Sequence, residues 1–153
     1  MRDFRYLLAA PEQGYRGTKG SFWFLVAMSV LVTVRSLIHM FAADGGANSI
    51  AGLTVEGDAG ANLVHLFAQW GLEQLILAIV AWVVIVRYRF LVPFVLLLQL
   101  LDWFMRGVMG EIKPLVVESM PPGGIGNIIL VPLVAIALWF ALPKSGERAA
   151  VKA

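Results

Sequence analysis

The chain has 153 residues, of which 59% are hydrophobic and only 14% are charged, whereas a soluble domain carries roughly a quarter charged residues. Its mean hydropathy of +0.81 is typical of a membrane protein, and the length suits one integral membrane domain over residues 1–153. Cysteine is absent, which excludes disulfides, thiolate metal sites and iron–sulfur clusters. The sequence also lacks nucleotide-binding loops, zinc motifs and catalytic triads, and nothing in it indicates nucleic-acid binding.

In chain order, four apolar segments are each long enough to cross about 30 Å of hydrocarbon. They are residues 21–42, 62–86, 90–110 and 124–143. No small-residue cleavage pattern follows the first segment, so we expect a retained span and not a cleaved signal peptide. Pro132 lies inside the fourth segment, where membrane helices tolerate a kink. The sequence therefore predicts an all-α fold, a four-helix membrane bundle with antiparallel neighbours.

Loop charges predict the orientation of this bundle. The basic residues outside the spans lie in the N-terminal segment, in the turn between the second and third spans, in the tail and in one outer loop: Arg2, Arg5, Arg16, Lys19, Arg87, Arg89, Lys144, Arg148, Lys152 and, in that loop, Lys113. The loop at 43–61 has acidic residues and no lysine or arginine, and the loop at 111–123 is close to neutral. The positive-inside rule then places both termini in the cytoplasm.

Three of the predicted spans carry polar side chains that are costly in lipid and usually face the interior of a bundle. They are Arg35 and His39 in the first span, His65, Gln69 and Glu73 in the second, and Gln99, Asp102 and Arg106 in the third. Each set has helical spacing and so forms a stripe on one face. We predict one polar cluster in the half of the bundle remote from the cytoplasm, with Asn127 of the fourth span at its mouth.

Two interpretations of this cluster stay open. In the first, the charges form ion pairs that only fix how the helices pack. Depth in the membrane favours a pair between Arg35 and Glu73 and another between Asp102 and Arg106, and exchanged partners are the alternative. In the second interpretation, the cluster lines a cavity that opens away from the cytoplasm and binds a ligand.

The short loops favour a non-enzymatic role, either as a ligand-binding module or as an accessory subunit that contacts lipid and other membrane subunits or copies of itself. A second hypothesis is a redox subunit, because His39 and His65 lie at similar depth and imidazoles are suitable axial ligands of haem b. Quinone binding at the polar cluster is a variant of it. A third hypothesis is a small proton-coupled transporter in which Glu73 titrates. Metal binding by the two histidines and a carboxylate is possible in principle, but no short-spaced ligand motif supports it.

Short motifs run through the region from about Asp44 to Pro143. They are Trp70-Gly71-Leu72, Arg87-Tyr88-Arg89, Val92-Pro93, Arg106, Lys113-Pro114 and Pro122-Gly123. In these motifs the chain is similar to small bacterial membrane proteins that are catalogued only as hypothetical. Its four-span plan resembles the DoxX-like group. This resemblance implies a helical fold in the bacterial inner membrane and a link to quinone-related oxidoreductase complexes. It assigns no role to an individual residue.

Overall fold

The computed structural model describes residues 2–8, 10–117 and 120–144, and all secondary-structure elements within these ranges are helical. The four long helices are α1 (Lys19–Phe41), α2 (Gly57–Val86), α3 (Val92–Ile112) and α4 (Pro122–Ala141). Short 3-10 turns lie at Phe4–Leu8, Pro11–Gln13 and Arg89–Leu91. Each predicted span has its helix. The largest difference is at the start of α2, which begins at Gly57 and not at residue 62, and α4 continues through Pro132.

The four long helices expose most of their apolar side chains. In the most apolar stretch of each helix, only 22% to 33% of the residues are buried. Large side chains such as Leu31, Leu77, Phe104 and Ile129 point outward on every helix. Soluble monomers rarely expose contiguous apolar surface of this extent, and each helix is long and apolar enough to cross a membrane. The chain is therefore a small multi-pass membrane protein.

The helices pack as two close pairs. α1 lies mainly against α2, and α3 lies mainly against α4, whereas direct contact between α2 and α3 is sparse. A glycine permits the close approach of the first pair, because a Cβ atom at Gly71 would lie 2.7 Å from the Cβ of His39 and 2.9 Å from the carbonyl oxygen of Ser36. The buried core that joins the two pairs includes Leu25, Val84, Leu96 and Val134.

The N-terminal segment is hydrogen-bonded to the end of α4. The backbone N–H of Asp3 donates to the carbonyl of Pro143, and that of Thr18 donates to the carbonyl of Phe140, each at 3.0 Å. Because Thr18 caps α1, the start of α1 and the end of α4 lie side by side.

The turn between α2 and α3 meets the same end of the molecule. Phe90 from this turn packs beside the buried Tyr6 and Leu142, and the Arg89 guanidinium lies 5.1 Å from the ring centre of Phe22 in α1. We call this the basic end, because it gathers the described basic residues Arg2, Arg5, Arg16, Lys19, Arg87, Arg89 and Lys144.

At the opposite end, Asp44 organises the loop between α1 and α2. Its carboxylate accepts hydrogen bonds from the backbone N–H groups of Ser49, Gly46 and Asn48 at 2.6, 2.9 and 3.1 Å. These bonds, with that from Ser49 the strongest contributor, lower the pKa of Asp44 to about 2. Gly45 and Gly46 have φ angles of +59° and +75°, which only glycine adopts without strain. The loop therefore turns back over the end of α1.

Candidate functional site

His39 connects this loop to the helices. It lies buried near the end of α1, and its Nδ1 atom is 2.7 Å from the carbonyl oxygen of Gly45. Since a carbonyl can only accept, Nδ1 carries the proton and donates. The imidazole stacks on the indole of Trp70, with ring centres 4.9 Å apart. His39 thus holds the loop on one side and Trp70 on the other.

Two arginines from different helices converge on two indoles. The Cζ atom of Arg35 lies 4.9 Å from the ring centre of Trp70 and 5.3 Å from that of Trp103. The Cζ atom of Arg106 lies 4.9 Å and 5.5 Å from the same two centres. Contacts of this kind stabilise a cation by about 0.5–2 kcal/mol, most where water is excluded. We call these four residues, with Asp102 and Gln74, the paired-arginine site.

Arg106 is neutralised within the site. Its Nε and Nη2 atoms donate to the carboxylate of Asp102 at 3.1 Å and 2.7 Å, with a further bond of 2.9 Å to the second oxygen. The predicted pairing of Asp102 with Arg106 is confirmed.

Arg35 has a neutral partner. Its Nη2 atom donates to the Oε1 atom of Gln74 at 2.6 Å. The predicted ion pair with Glu73 is wrong, because Glu73 lies exposed on α2 and makes no hydrogen bond or ion pair with the described residues. Sequence reasoning missed Gln74, although Gly71, Ala78 and Ala81 mark the same face of α2 with small residues, which is typical of close helix contacts in membranes.

The site has an excess of positive charge and of hydrogen-bond donors. Two guanidinium groups face one carboxylate. Three buried donor atoms of the site have no partner among the described residues: Nε of Arg35, Nη1 of Arg106 and Nε2 of Gln74. A buried donor without a partner costs about 1–3 kcal/mol, and more when it is charged, so such groups usually bind water or a ligand. The site is therefore suited to an acceptor group.

A cavity of about 50 Å³ adjoins the site between α1, α2 and α3. Gln74, Gln99, Asp102 and Trp103 contribute to its lining, and the remaining wall is apolar. The Oε1 atom of Gln99 is buried and has no partner among the described residues. Small-ligand sites usually have a volume of about 300–1,000 Å³, so this cavity has room for only part of a ligand or for a few water molecules. Gln99 and Asp102, both predicted from the sequence, do lie together here.

The second-span stripe does not join the cluster. His65, Gln69 and Glu73 share a face of α2, as their spacing predicts, but that face is exposed. The prediction that it lines the interior is wrong, since Gln74 and the small residues beside it occupy the buried face. We call Asn62, His65, Gln69 and Glu73, all of which are exposed, the α2 stripe.

This placement bears on the haem and metal hypotheses. His39 is buried against α2, whereas His65 is exposed, so the two imidazoles do not face each other as the axial ligands of one haem must. The described residues contain no group of three or more histidine, aspartate or glutamate side chains placed to hold a metal ion.

Asn127 makes no hydrogen bond with the paired-arginine site among the described residues. Its amide approaches α3 at Gly107, where a Cβ atom would come within 2.8 Å of Nδ2. Its buried Oδ1 atom has no partner in the described part of the chain.

Comparison with protein-family models, with curated proteins and with solved structures found no match for this chain. The resemblance to the DoxX-like group therefore stays a prediction.

Proposed function

We propose that this membrane protein binds a small amphiphilic ligand with an anionic head group at the paired-arginine site. The observation that carries the proposal is the imbalance of two guanidinium groups against one carboxylate, with three buried donors left unpaired among the described residues. An uncompensated charge in a low-dielectric region is costly, and an anion would offset it.

The geometry of the two arginines favours one bridging group. Arg35 and Arg106 lie over the same two indoles, and each has a buried nitrogen without a described partner. Guanidinium groups bind carboxylate and phosphate oxygens through paired, charge-assisted hydrogen bonds. A carboxylate or a phosphate ester between the two arginines would therefore satisfy both nitrogens.

The surroundings favour an apolar tail on the ligand. The cavity beside the site is lined largely by apolar side chains such as Val95 and Leu98. Its volume of about 50 Å³ would hold only the part of a tail next to the head group, and the remainder would lie in the surrounding lipid. Because contact between α2 and α3 is sparse, an amphiphile could enter from the lipid without passing through water.

A quinone is the second candidate. Its two carbonyl oxygens are acceptors, and the unpaired Nε2 atom of Gln74 together with the amide of Gln99 would suit them. This variant follows the resemblance to DoxX-like proteins. The excess positive charge favours the anion, because a neutral quinone would leave Arg35 without a counter-charge.

The haem and transporter hypotheses lack comparable support. The two histidines do not face each other, and Glu73, the proposed titrating group, lies outside the site.

We also propose an antiparallel bundle with both termini in the cytoplasm. The clustering of seven described basic residues at the basic end supports this orientation, because cytoplasmic loops are enriched in lysine and arginine. The paired-arginine site would then lie in the half of the membrane remote from the cytoplasm. A bacterial inner membrane is proposed from the resemblance alone.

The test is mass spectrometry of lipid extracts from purified wild type and an Arg35→Met variant. Arg35 has a neutral partner, so its removal strands no carboxylate. We expect the variant to retain about 10-fold less of an anionic amphiphile, since hydrogen bonds to charged groups contribute about 1.5–3 kcal/mol. The matched control is Arg87→Gln, which removes the same charge at the exposed turn after α2.

Equal ligand content in wild type and Arg35→Met, at equal thermal stability, would contradict the proposal. An equal loss of ligand in Arg87→Gln would show that the effect depends only on the net charge of the protein. A quinone lost from Arg35→Met in place of an anion would establish the second candidate.

A further inference from the structure

The α2 stripe is a polar surface in a position where lipid is the expected neighbour. Glu73 lies about 24 Å from Gly57 and about 20 Å from Val86 at 1.5 Å per residue, which is close to the middle of the 30-residue helix. Ionisable groups at this depth nearly always have a polar partner or face water.

The chain itself provides no such partner among its described residues. The side chains of His65, Gln69 and Glu73 are exposed and make no hydrogen bond or ion pair with any described residue. The cations nearest in depth are Arg35 and Arg106, and these belong to the paired-arginine site. The stripe therefore has no counter-charge within the described molecule.

A second copy of this chain does not provide one either. In a two-fold dimer with both copies in the same orientation, this face would set Glu73 against Glu73 and His65 against His65. The other exposed helix faces are largely apolar through the membrane, with side chains such as Val34, Leu101 and Ile129. The partly exposed Asp102 has the same charge sign as Glu73 and is already paired with Arg106. Charge complementarity therefore points to a different protein.

We infer that the α2 stripe binds a transmembrane helix of another membrane protein, one that places a lysine or arginine at the depth of Glu73. An amide or hydroxyl side chain one turn away would pair with Gln69, as polar side chains do between membrane helices. This surface is distinct from the paired-arginine site, and the inference does not depend on the ligand proposed there.

The test uses a synthetic leucine- and alanine-rich transmembrane peptide with one central lysine. The full-length protein carries an acceptor dye on Val116→Cys, an exposed position in a chain without native cysteine, and the peptide carries a donor. In phosphatidylcholine vesicles, we expect energy transfer between the peptide and the wild-type protein. The apparent affinity derived from it should fall about 10-fold for Glu73→Leu. The same loss is expected for a peptide with leucine in place of lysine.

Two control variants show whether peptide binding depends on the α2 stripe. Glu111→Leu removes an exposed carboxylate from the end of α3 and should leave peptide binding unchanged. Arg35→Met should also leave it unchanged, so that failure of the ligand proposal and failure of this inference can be told apart.

A photo-crosslinker at Gln69 in native membranes extends the test to the natural partner. We expect a cross-linked product with another protein, whose linked transmembrane segment contains a basic residue. This product should be lost in Glu73→Lys. It should be restored when the basic residue of the partner is changed to glutamate in the Glu73→Lys background. Cross-links to lipid alone, or to a second copy of this chain, would overturn the inference. So would equal binding of the lysine and leucine peptides to the wild type.

Discussion

Glu73 and Gln74 are neighbours in the chain, but one is exposed and the other is buried. Successive residues of an α-helix differ by about 100° in direction, so a small error in the assigned face exchanges their environments. The neutral amide of Gln74, and not the carboxylate of Glu73, thereby becomes the partner of Arg35. The positive charge of Arg35 remains uncompensated for this reason.

We expect different effects on stability for the two carboxylates within the membrane spans, Asp102 and Glu73. Asp102→Leu leaves the partly buried Arg106 without its ion-pair partner and should lower the free energy of unfolding by about 1–3 kcal/mol. Glu73→Leu removes no contact within the described chain and should not lower the free energy of unfolding, because leucine is more favourable than a carboxylate at this depth. Unfolding of purified protein in detergent micelles measures both. A large loss in Glu73→Leu, abolished in the Arg35→Met background, would reinstate the ion pair between those residues.

The pairing of α1 with α2 depends on a face of small residues. Gly71, Ala78 and Ala81 are buried on α2, and the absence of a side chain at Gly71 lets the backbone of α1 approach. Close approach of this kind is a principal source of helix association in membranes, where burial of apolar surface gives no preference. It also brings Trp70 against His39.

Two glycine-to-alanine changes test this packing. Both gain up to about 1 kcal/mol of helix propensity. At Gly71 the new methyl group would press on His39 and Ser36, which should cost about 1–3 kcal/mol. At Gly110 no atom lies within 4 Å of the added Cβ, so only the gain is expected. Thermal stability of the two variants gives the comparison, and indistinguishable melting temperatures would show that α1 and α2 are not held by this contact.

The helices could be predicted from the sequence, but the buried face of α2 could not. Hydropathy marks a span because every residue must be compatible with lipid, and all four spans were found within a few residues. The same property removes the usual alternation between an apolar interior and a polar surface. For α1 and α3, the spacing of the polar residues correctly assigned Arg35, Asp102 and Arg106 to the site. For α2 it selected the exposed stripe, and only the small residues indicated the buried side.

The whole molecule has opposite charge patterns at its two ends. The basic end brings together three separate parts of the sequence, and the loop after α1 has acidic residues without lysine or arginine.

Cysteine labelling tests the orientation of the molecule directly, because the native chain has no cysteine. A membrane-impermeant maleimide added to intact cells should react with Val116→Cys. It should react with Tyr88→Cys only after the membrane is permeabilised. Reaction at both sites in intact cells would indicate chains inserted in both directions, and the reverse pattern would invert the proposed topology.

The bonds from Asp3 and Thr18 to the end of α4 have a consequence for biosynthesis. The carbonyl groups that accept them belong to Pro143 and Phe140, which the ribosome adds more than a hundred residues later. At about 5–20 residues per second, the first segment waits about 6–28 s for its binding site to be synthesised. Its attachment is therefore a late step of assembly, and a chain that stalls before α4 would keep its N-terminus undocked and accessible to proteases on its side of the membrane.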